Sequence, residues 1–425
     1  MTLAKAPELP GMSEALGGAL VLLVPLAGAG LALMNAGLGR SRSATHAMLG
    51  SVCVIAAAVL SYFVCGWSWQ GFPGLPAHTV TLAGRSWNWI AAEPFFLRGL
   101  PLDGSPAALA ACLQMFSVAL AALIPLGAGS ERWRLGASCA STALLAGWTY
   151  PLFAHWVWGG GWLAQIGLLD AGGSGTIQAV GGLTALSIAW ILGPRQGKYD
   201  AEGVPAAFPG HNAVLVLFAC FLTWLGWLGL NGAGSLLLAG GAAAGLVRVA
   251  MNTTLSAAAG VLAVAAVTRI RFGRPDASLC ANGWTAGLVA SSAACAWIAP
   301  AEAALIGAIA GVLVVFSVEW VDARGRSDDP AGAISVHGAG GLWGLLALGI
   351  FARTPLRNQW LAQLAGVAAL LLFVLPMTYS LNWLLNRFYP QRVAAEADLH
   401  GPDLYELGAG AYPEFVTRRD DFRPR

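Results

Sequence analysis

The chain has 425 residues, of which 57% are hydrophobic and only 10% are charged, and its formal net charge is +2. A soluble domain usually carries about 25% charged residues, so this composition excludes a soluble globular protein and a disordered chain, and the small net charge excludes a nucleic-acid-binding surface. The mean hydropathy of +0.66 predicts a polytopic α-helical membrane protein whose partner is the lipid bilayer.

Apolar stretches long enough to cross the hydrocarbon core as helices, which takes about 20 residues, recur along the chain. They lie near residues 13–36, 44–67, 107–128, 135–156, 174–194, 211–230, 240–268, 279–298, 302–321, 333–352 and 360–387. The long connection between them, over about 70–106, is rich in Pro, Gly and Trp. We therefore predict an all-α fold of eleven transmembrane helices.

The positive charges are distributed unevenly between alternate loops, and this asymmetry predicts the orientation. One set of loops holds only Lys5, Arg85, Arg98, Arg353 and Arg357, whereas the other set holds most of the remaining Lys and Arg residues. Loops rich in Lys and Arg stay in the cytoplasm. The N-terminus is therefore expected outside and the C-terminus inside a cell (inner) membrane that the chain crosses several times.

Two segments repeat one another. DAGGSGTIQAVGGLTAL begins at Asp170, and DPAGAISVHGAGGLWGL begins at Asp329. Eight positions after each Asp stands a polar residue, Gln178 or His337, and GGL follows three positions later. Because five spans separate the segments, the halves have opposite orientations, as in many transporters with a midplane site. The halves are expected over 13–194 and 211–352, followed by a last helix over 360–387.

Several further motifs lie at the ends of the predicted spans. They are HWVWGGG from His155, NTTL from Asn252, DDP from Asp328, and YPEF from Tyr412. Together with Gly226, Trp227 and Asn231, these residues resemble the ammonium transporter family (Amt, Mep and Rh proteins) over nearly the whole chain. The resemblance implies a transmembrane domain over 1–392, a cytoplasmic tail over 393–425, and a homotrimer with one narrow pore per subunit. It also implies ammonium or ammonia as the substrate and no cofactor.

The resemblance assigns roles to four residues. Trp158 corresponds to a vestibule tryptophan that holds a cation against its indole ring. His337 corresponds to the second of two histidines that line the pore. Gln178 stands where the family usually has the first histidine, and an amide donates and accepts hydrogen bonds but takes up no proton at physiological pH. Asp170 is expected to cap a helix N-terminus rather than to bind the cation directly.

The predicted gate departs from the family pattern. Two stacked phenylalanines normally close the pore below the vestibule, but Ser117 stands at the outer gate position with Phe116 beside it, and Leu230 stands at the inner one. Gly234 occupies the place of a vestibule serine, and Ser235 is next to it. These residues predict an altered filter and gate.

The tail also departs from the pattern, because Leu407 and Ala409 replace the His and Glu of an HGE motif. In the family this tail packs across neighbouring subunits and couples them to a PII-type nitrogen regulator, which is therefore a possible partner. Two alternatives to transport remain open: a receptor that binds ammonium without conducting it, and a channel for another small solute such as methylamine or carbon dioxide. An enzyme is not expected, because no nucleophile–base pair, metal constellation or phosphate-binding loop is recognisable.

Overall fold

The computed structural model describes residues 11–354, 356, 358–412 and 414. Lys5, Arg357, Pro413 and Phe415, which the sequence predictions used, lie outside the described residues. The α-helices are α1 (Met12–Val21), α2 (Val24–Leu38), α3 (Ala44–Ser61), α4 (Trp67–Gln70), α5 (Pro106–Gly129), α6 (Leu135–Leu144), α7 (Tyr150–Trp158), α8 (Trp162–Gln165), α9 (Val180–Leu192), α10 (Ala213–Leu237), α11 (Leu246–Phe272), α12 (Ala277–Ala294), α13 (Pro300–Ala323), α14 (Gly340–Phe351), α15 (Gln359–Ala369), α16 (Leu375–Phe388) and α17 (Ala395–His400).

Wider π-helical turns join or extend several of these helices. They are Tyr62–Gly66, Leu145–Thr149, Ser174–Ala179, Ile334–Ala339, Leu370–Val374 and Asp403–Leu407. Short 3₁₀ turns occur at Ser41–Ser43, Phe95–Leu97 and Ala243–Gly245. Because π turns interrupt the regular α-helical pattern and often occur at functional sites, the two that precede α9 and α14 are of particular interest.

Nine helical segments of the described residues are long and apolar enough to cross a membrane. They are Ser13–Leu38, Ser41–Gln70, Pro106–Gly129, Ser174–Leu192, Ala213–Leu237, Ala243–Phe272, Pro300–Ala323, Ile334–Phe351 and Gln359–Phe388. Two of the predicted spans, near 135–156 and 279–298, coincide instead with the helical stretch from α6 to α7 and with α12. The chain is therefore a mostly helical, multi-pass membrane protein.

Small residues allow the spans to approach one another at backbone distance, which is how transmembrane helices pack without a hydrophobic driving force. A Cβ atom at Gly226 in α10 would lie 2.0 Å from the backbone nitrogen of Ala27 in α2. A Cβ at Gly30 would lie 2.5 Å from the side chain of Thr223. Glycine is therefore required at these two close contacts between α2 and α10.

An antiparallel hairpin lies in the long loop and departs from the all-α prediction. Its strands are β1 (Ala77–Leu82) and β2 (Arg85–Ala91). The turn between them is Ala83–Gly84, and both residues have positive φ, 50° and 74°, as the tightest hairpin turns require. The alternation of Thr, Val and Trp in this segment favours strands, a signal that the Pro and Gly content of the loop obscured.

The repeated segments form the helical stretches Ser174–Leu192 and Ile334–Phe351, each of which begins with a π turn. We call these two stretches the broken helices, and they cross at glycine. A Cβ at Gly182 would lie 2.1 Å from the backbone nitrogen of Gly338, and one at Gly341 would lie 2.8 Å from the backbone nitrogen of Ala179. Gly182 and Gly341 each lie twelve positions after the first Asp of their segment. The equivalent residues of the two segments therefore make equivalent contacts, each against the π turn of the other.

We predict that Gly182→Ala destabilises the protein strongly, because the added methyl group would collide with backbone that no rotamer change can move. Gly338→Ala is the matched control, since its Cβ would meet its nearest neighbour at 3.6 Å, an ordinary contact. The measurement is the apparent melting temperature in detergent, followed by size-exclusion chromatography. Equal melting temperatures for the two variants would contradict the crossing as described.

Candidate pore and its two mouths

The crossing of the broken helices brings Gln178 and His337 into contact, although they are 159 positions apart in the chain. The ring Nδ1 of His337 lies 2.8 Å from Oε1 of Gln178. Both side chains are buried, with 0% and 4% of their surface exposed. Gln178 Nε2 is also buried and has no hydrogen-bond partner among the described residues. The two residues singled out by the repeat therefore form a hydrogen-bonded pair, and the Gln178 amide still has an unpaired N–H donor.

A small cavity adjoins His337, near the C-terminal part of α2. Its volume is about 20 Å³, enough for one water-sized molecule. Apolar side chains form most of its wall, and the polar groups of Asn35, Asn282 and Thr285 interrupt them. Such a cavity accommodates a small solute that makes hydrogen bonds, as water and ammonia do.

The two aspartates that begin the repeated segments cap the broken helices. Asp170 Oδ2 accepts from the backbone N–H groups of Gly175 and Thr176 at 3.0 and 2.8 Å. Asp329 accepts in the same way from Ala333 and Ile334 at 3.0 and 2.7 Å. Free amides at a helix start need such acceptors. The caps hold the π turns, and thereby Gln178 and His337, in place.

Trp158 is the last residue of α7, and it contacts the residue that begins the first repeated segment. Its indole N–H donates to the backbone carbonyl of Asp170 at 2.8 Å, and 7% of the residue is exposed. The following Gly160 has a φ of 80°, so the chain reverses sharply after the tryptophan. The backbone of Asp170 therefore sets the orientation of the ring, while its carboxylate caps the helix.

His155, one turn before Trp158, is a buried residue to which the sequence predictions gave no role of its own. Its Nδ1 lies 2.6 Å from the backbone oxygen of Gln70, and its Nε2 lies 2.9 Å from Oδ1 of Asn88 on the hairpin. Asn88 also donates to the backbone of Gly160. The hairpin is thus hydrogen-bonded to the loop that follows Trp158. A His next to a Trp-rich motif was the sequence signal that could have pointed to a role for His155.

The predicted gate positions lie on α5 and α10. Ser117 is buried, and its hydroxyl donates to the backbone oxygen of Leu113, whereas Phe116 is half-buried. Gln114, one turn before Ser117, accepts a 2.6 Å hydrogen bond from the hydroxyl of Tyr150. The face of α5 that holds Ser117 and Gln114 is therefore polar.

The positions predicted on α10 are also inside the bundle. Leu230 and Ser235 are 1% and 4% exposed. The backbone oxygen of Ser235 accepts from Gly241 at 2.8 Å, where α10 has ended. Leu230 thus supplies a buried aliphatic side chain at the position predicted for the inner gate.

Buried charges join the ends of several spans. Arg195 donates through Nε and Nη2 to the two oxygens of Asp328 at 2.8 and 2.9 Å, and through Nη1 to Glu131 at 2.6 Å. Glu131 also pairs with Arg40, and Arg132 donates to the backbone of Asp328 at 2.7 Å. Burial raises the pKa of Asp328, but the hydrogen bonds and charges of the two arginines outweigh it and lower the pKa to about 2.

The sequence predictions did not include this network of buried charges, because they used the arginines only to predict the orientation. The available signal was the pair Glu131–Arg132, because an acidic residue is unexpected in a loop selected for positive charge. Buried charges are tolerated only when they are paired and hydrogen-bonded. The network therefore joins the C-terminal ends of α2, α5 and α9 to the segment that precedes α14.

The tail packs on the N-terminal start of α3. Asp403 accepts from the backbone N–H groups of Thr45 and His46 at 3.1 and 2.7 Å. Glu406 Oε2 lies 2.8 Å from the His46 ring and accepts from the backbone of Leu135 at 3.0 Å. Although partial burial opposes it, hydrogen bonds from His46 and Leu135 lower the pKa of Glu406, so the carboxylate stays charged at neutral pH.

The structure has membrane-spanning helices, and two broken helices among them cross at glycine. Their crossing holds a buried polar pair beside a water-sized cavity. These features are typical of a channel or transporter for a small solute. Comparison with known proteins identifies the family. Residues 16–412 match the Ammonium Transporter Family, and this chain belongs to that family.

Individual relatives agree with this assignment. The ammonium transporter Amt2 of Archaeoglobus fulgidus is 36% identical, and the match covers 98% of this chain and 91% of the relative. The ammonium transporter of Bacillus subtilis is 31% identical over 92% of this chain and 96% of its own length. Among solved structures, a sensor Amt protein superimposes with a TM-score of 0.85 at 26% identity, covering 93% of this chain and 98% of that chain. Saccharomyces cerevisiae Mep2 superimposes with a TM-score of 0.79 at 25% identity, covering 91% and 90%.

We predict that Asp328→Asn lowers the free energy of unfolding by about 3 kcal/mol, because it removes one of the two carboxylates that pair with the buried Arg195. The native pKa of Asp328 is about 2, below the unfolded value of about 3.9. The stabilisation is therefore complete above the unfolded pKa and is lost only as the pH falls from about 4 towards 2. Thermal unfolding in detergent should show a constant difference from the wild type between about pH 5 and pH 8.

Glu319→Gln is the matched control, since Glu319 pairs with Arg271 at 2.6 Å but both side chains are more than a third exposed. An exposed pair contributes about 0–1 kcal/mol. If both variants lost the same stability, the buried network would not have the role described.

Proposed function

We propose that the protein transports ammonium or ammonia across a cell (inner) membrane, through a lumen that passes Gln178 and His337 in each subunit of a homotrimer. The observation that carries this proposal is the buried Gln178–His337 pair, held by two broken helices beside a cavity of one water-sized volume. An apolar membrane interior makes such polar groups costly, so they are normally kept for function. Membership of the Ammonium Transporter Family supports ammonium or ammonia as the substrate.

The proposed architecture has eleven spans in two inverted halves of five, plus a last helix. The nine long segments, the α6–α7 stretch and α12 together support the number. The equivalent glycine contacts and aspartate caps support the repeat. The charge asymmetry of the loops supports an external N-terminus, a transmembrane domain over 1–392 and a cytoplasmic tail over 393–425.

We assign the outer end of the path to Trp158, with Ser235 nearby, as the place where a cation is recruited. The indole face attracts a cation by about 0.5–2 kcal/mol, and the hydrogen bond to Asp170 orients that ring. Asp170 acts indirectly, as the cap of the broken helix. Phe116, Ser117 and Leu230 form an altered gate, and its polar α5 face supports hydrated passage rather than closure by stacked aromatic rings.

Regulation is proposed to act through the tail, with a PII-type protein as a partner at the cytoplasmic face. Asp403 and Glu406 bind the start of α3, so movement of the tail is coupled directly to a span. Leu407 and Ala409 lack the ionisable groups of the family motif, so Asp403 and Glu406 are the charged residues of this segment that contact the start of α3.

A second candidate function is sensing, in which the protein binds ammonium without conducting it. The similarity to a solved sensor Amt protein over almost the full length of both chains favours this candidate specifically. Transport of methylamine or carbon dioxide is a third candidate, which the polar α5 face does not exclude. Flux and binding measurements separate the three.

We predict that liposomes containing the purified protein take up ammonia faster than protein-free liposomes after an ammonium pulse. An entrapped pH dye records entry of the neutral base, and a solid-supported membrane records any current. His337→Leu should abolish the additional uptake, because it replaces the polar group of the lumen with an apolar one. His78→Leu, on the exposed hairpin strand β1, should leave uptake unchanged.

The same preparations distinguish the alternatives. Saturable ammonium binding without additional uptake or current would overturn transport and establish the sensor. Faster entry of carbon dioxide or methylamine than of ammonia would establish a different solute. An equal loss of uptake in both His variants would show that the effect of His337→Leu does not arise in the lumen.

A further inference from the structure

A second small cavity lies beside His46, the residue of α3 that contacts the tail, and we call it the tail cavity. Its volume is about 20 Å³, enough for one water-sized molecule. Six polar residues, each with 9% or less of its surface exposed, contribute to its wall: Asn35, Ser43, His46, Ser130, Glu131 and Ser138. Because cavities that stay empty are apolar, a wall with so many buried polar groups indicates an occupant.

Three polar groups of this wall have no hydrogen-bond partner among the described residues. The Ser130 hydroxyl is fully buried and unpaired. Asn35 uses its Nδ2 for the backbone oxygen of Leu123 and leaves Oδ1 unpaired. The His46 ring uses Nε2 for Glu406 and leaves Nδ1 unpaired. Since unsatisfied buried polar groups are costly, these three groups need a partner that the described part of the chain does not supply.

The other polar groups of the wall already have partners. Glu131 accepts from Arg40 through one oxygen and from Arg195 through the other, so its charge is compensated and attracts no further cation. The hydroxyls of Ser43 and Ser138 each donate to the backbone oxygen three positions earlier. The occupant is therefore a neutral molecule that pairs with the remaining three groups.

The protons on these three groups define the occupant. A carboxylate only accepts hydrogen bonds, so Nε2 of a neutral His46 ring carries the proton toward Glu406, and Nδ1 is an acceptor. Oδ1 of Asn35 is also an acceptor, whereas the Ser130 hydroxyl can donate. We propose that the tail cavity binds one water molecule, which donates to Asn35 and His46 and accepts from Ser130.

The position of this water gives it a role in communication between the tail and the lumen. Asn35 also lines the cavity beside His337, so the two cavities share a wall residue. His46 contacts Glu406 through its ring and Asp403 through its backbone N–H. The water therefore joins the tail-bound start of α3 to the part of α2 that borders the proposed lumen. This role rests on the proposed regulation through the tail, whereas the water site itself does not.

The sign of a stability change tests whether the cavity holds water. Ser130→Ala removes a hydroxyl that has no partner among the described residues. If water is bound, the variant removes one of the three groups that hold it, and the apparent melting temperature in detergent should fall. If the cavity is dry, the variant removes an unsatisfied buried group and the melting temperature should rise, which would overturn the proposal.

Ser187→Ala is the matched control, because Ser187 is fully buried and its hydroxyl bonds only the backbone oxygen of Leu183 in its own helix. Its melting temperature should fall less than that of Ser130→Ala, and an equal fall in both would overturn the proposal. A wild-type structure at a resolution that shows ordered water provides the direct observation. One water should lie within hydrogen-bonding distance of the Ser130 hydroxyl, and an empty cavity would overturn the proposal.

The joining role is tested by hydrogen exchange at the backbone amides of Thr45 and His46, which donate to Asp403 of the tail. Ser130→Ala and Asn35→Ala should each speed this exchange about fivefold, although neither residue lies on α3 or in the tail. The double variant should exchange little faster than either single variant, because both act through the same water. Additive effects, or unchanged exchange, would overturn the joining role.

None of these measurements needs a transported solute. If the water and its effect on exchange were found in a protein that did not transport ammonium or ammonia, the proposed function would fail and this inference would stand. A dry cavity would overturn this inference alone and would leave the proposal of transport as it is.

Discussion

The contact-distance crossing of the two broken helices is the constraint on which the rest of the structure depends. Gly182 and Gly341 have no side chain, so each helix lies directly against the π turn of the other. A larger residue would separate the two polar groups that the turns carry. The hydrogen bond between Gln178 and His337 is therefore a consequence of backbone packing, made possible by two equivalent glycines.

The surroundings of the crossing satisfy the hydrogen-bonding groups that breaking a helix exposes. In a bilayer, free backbone amides must find partners within the protein, and Asp170 and Asp329 supply them. Asp170 also fixes Trp158 through its carbonyl, so one residue links the helix cap to the proposed recruitment site. Arg195 and Asp328 connect the same framework to neighbouring spans. The pore region is thus rigid for identifiable electrostatic reasons.

The departures of this chain from its family pattern share a direction. By the predicted correspondence, Gln178 stands in place of an imidazole, Ser117 in place of an aromatic ring, and Leu230 in place of another ring. Each change removes either a titratable group or a stacking surface.

Much of the fold could be predicted from local properties of the sequence. A span requires only about 20 apolar residues, and the Lys and Arg residues of the loops predict the orientation in the membrane. The offsets from Asp170 and Asp329 also singled out Gln178 and His337. The contact between these two residues, the hairpin held by His155 and Asn88, and the Arg195–Asp328 network were decided only by tertiary structure. Arg195 and Asp328 are 133 positions apart, and a linear pattern contains no distances between helices. Packing supplies those distances, and with them the choice of which atom donates and which accepts.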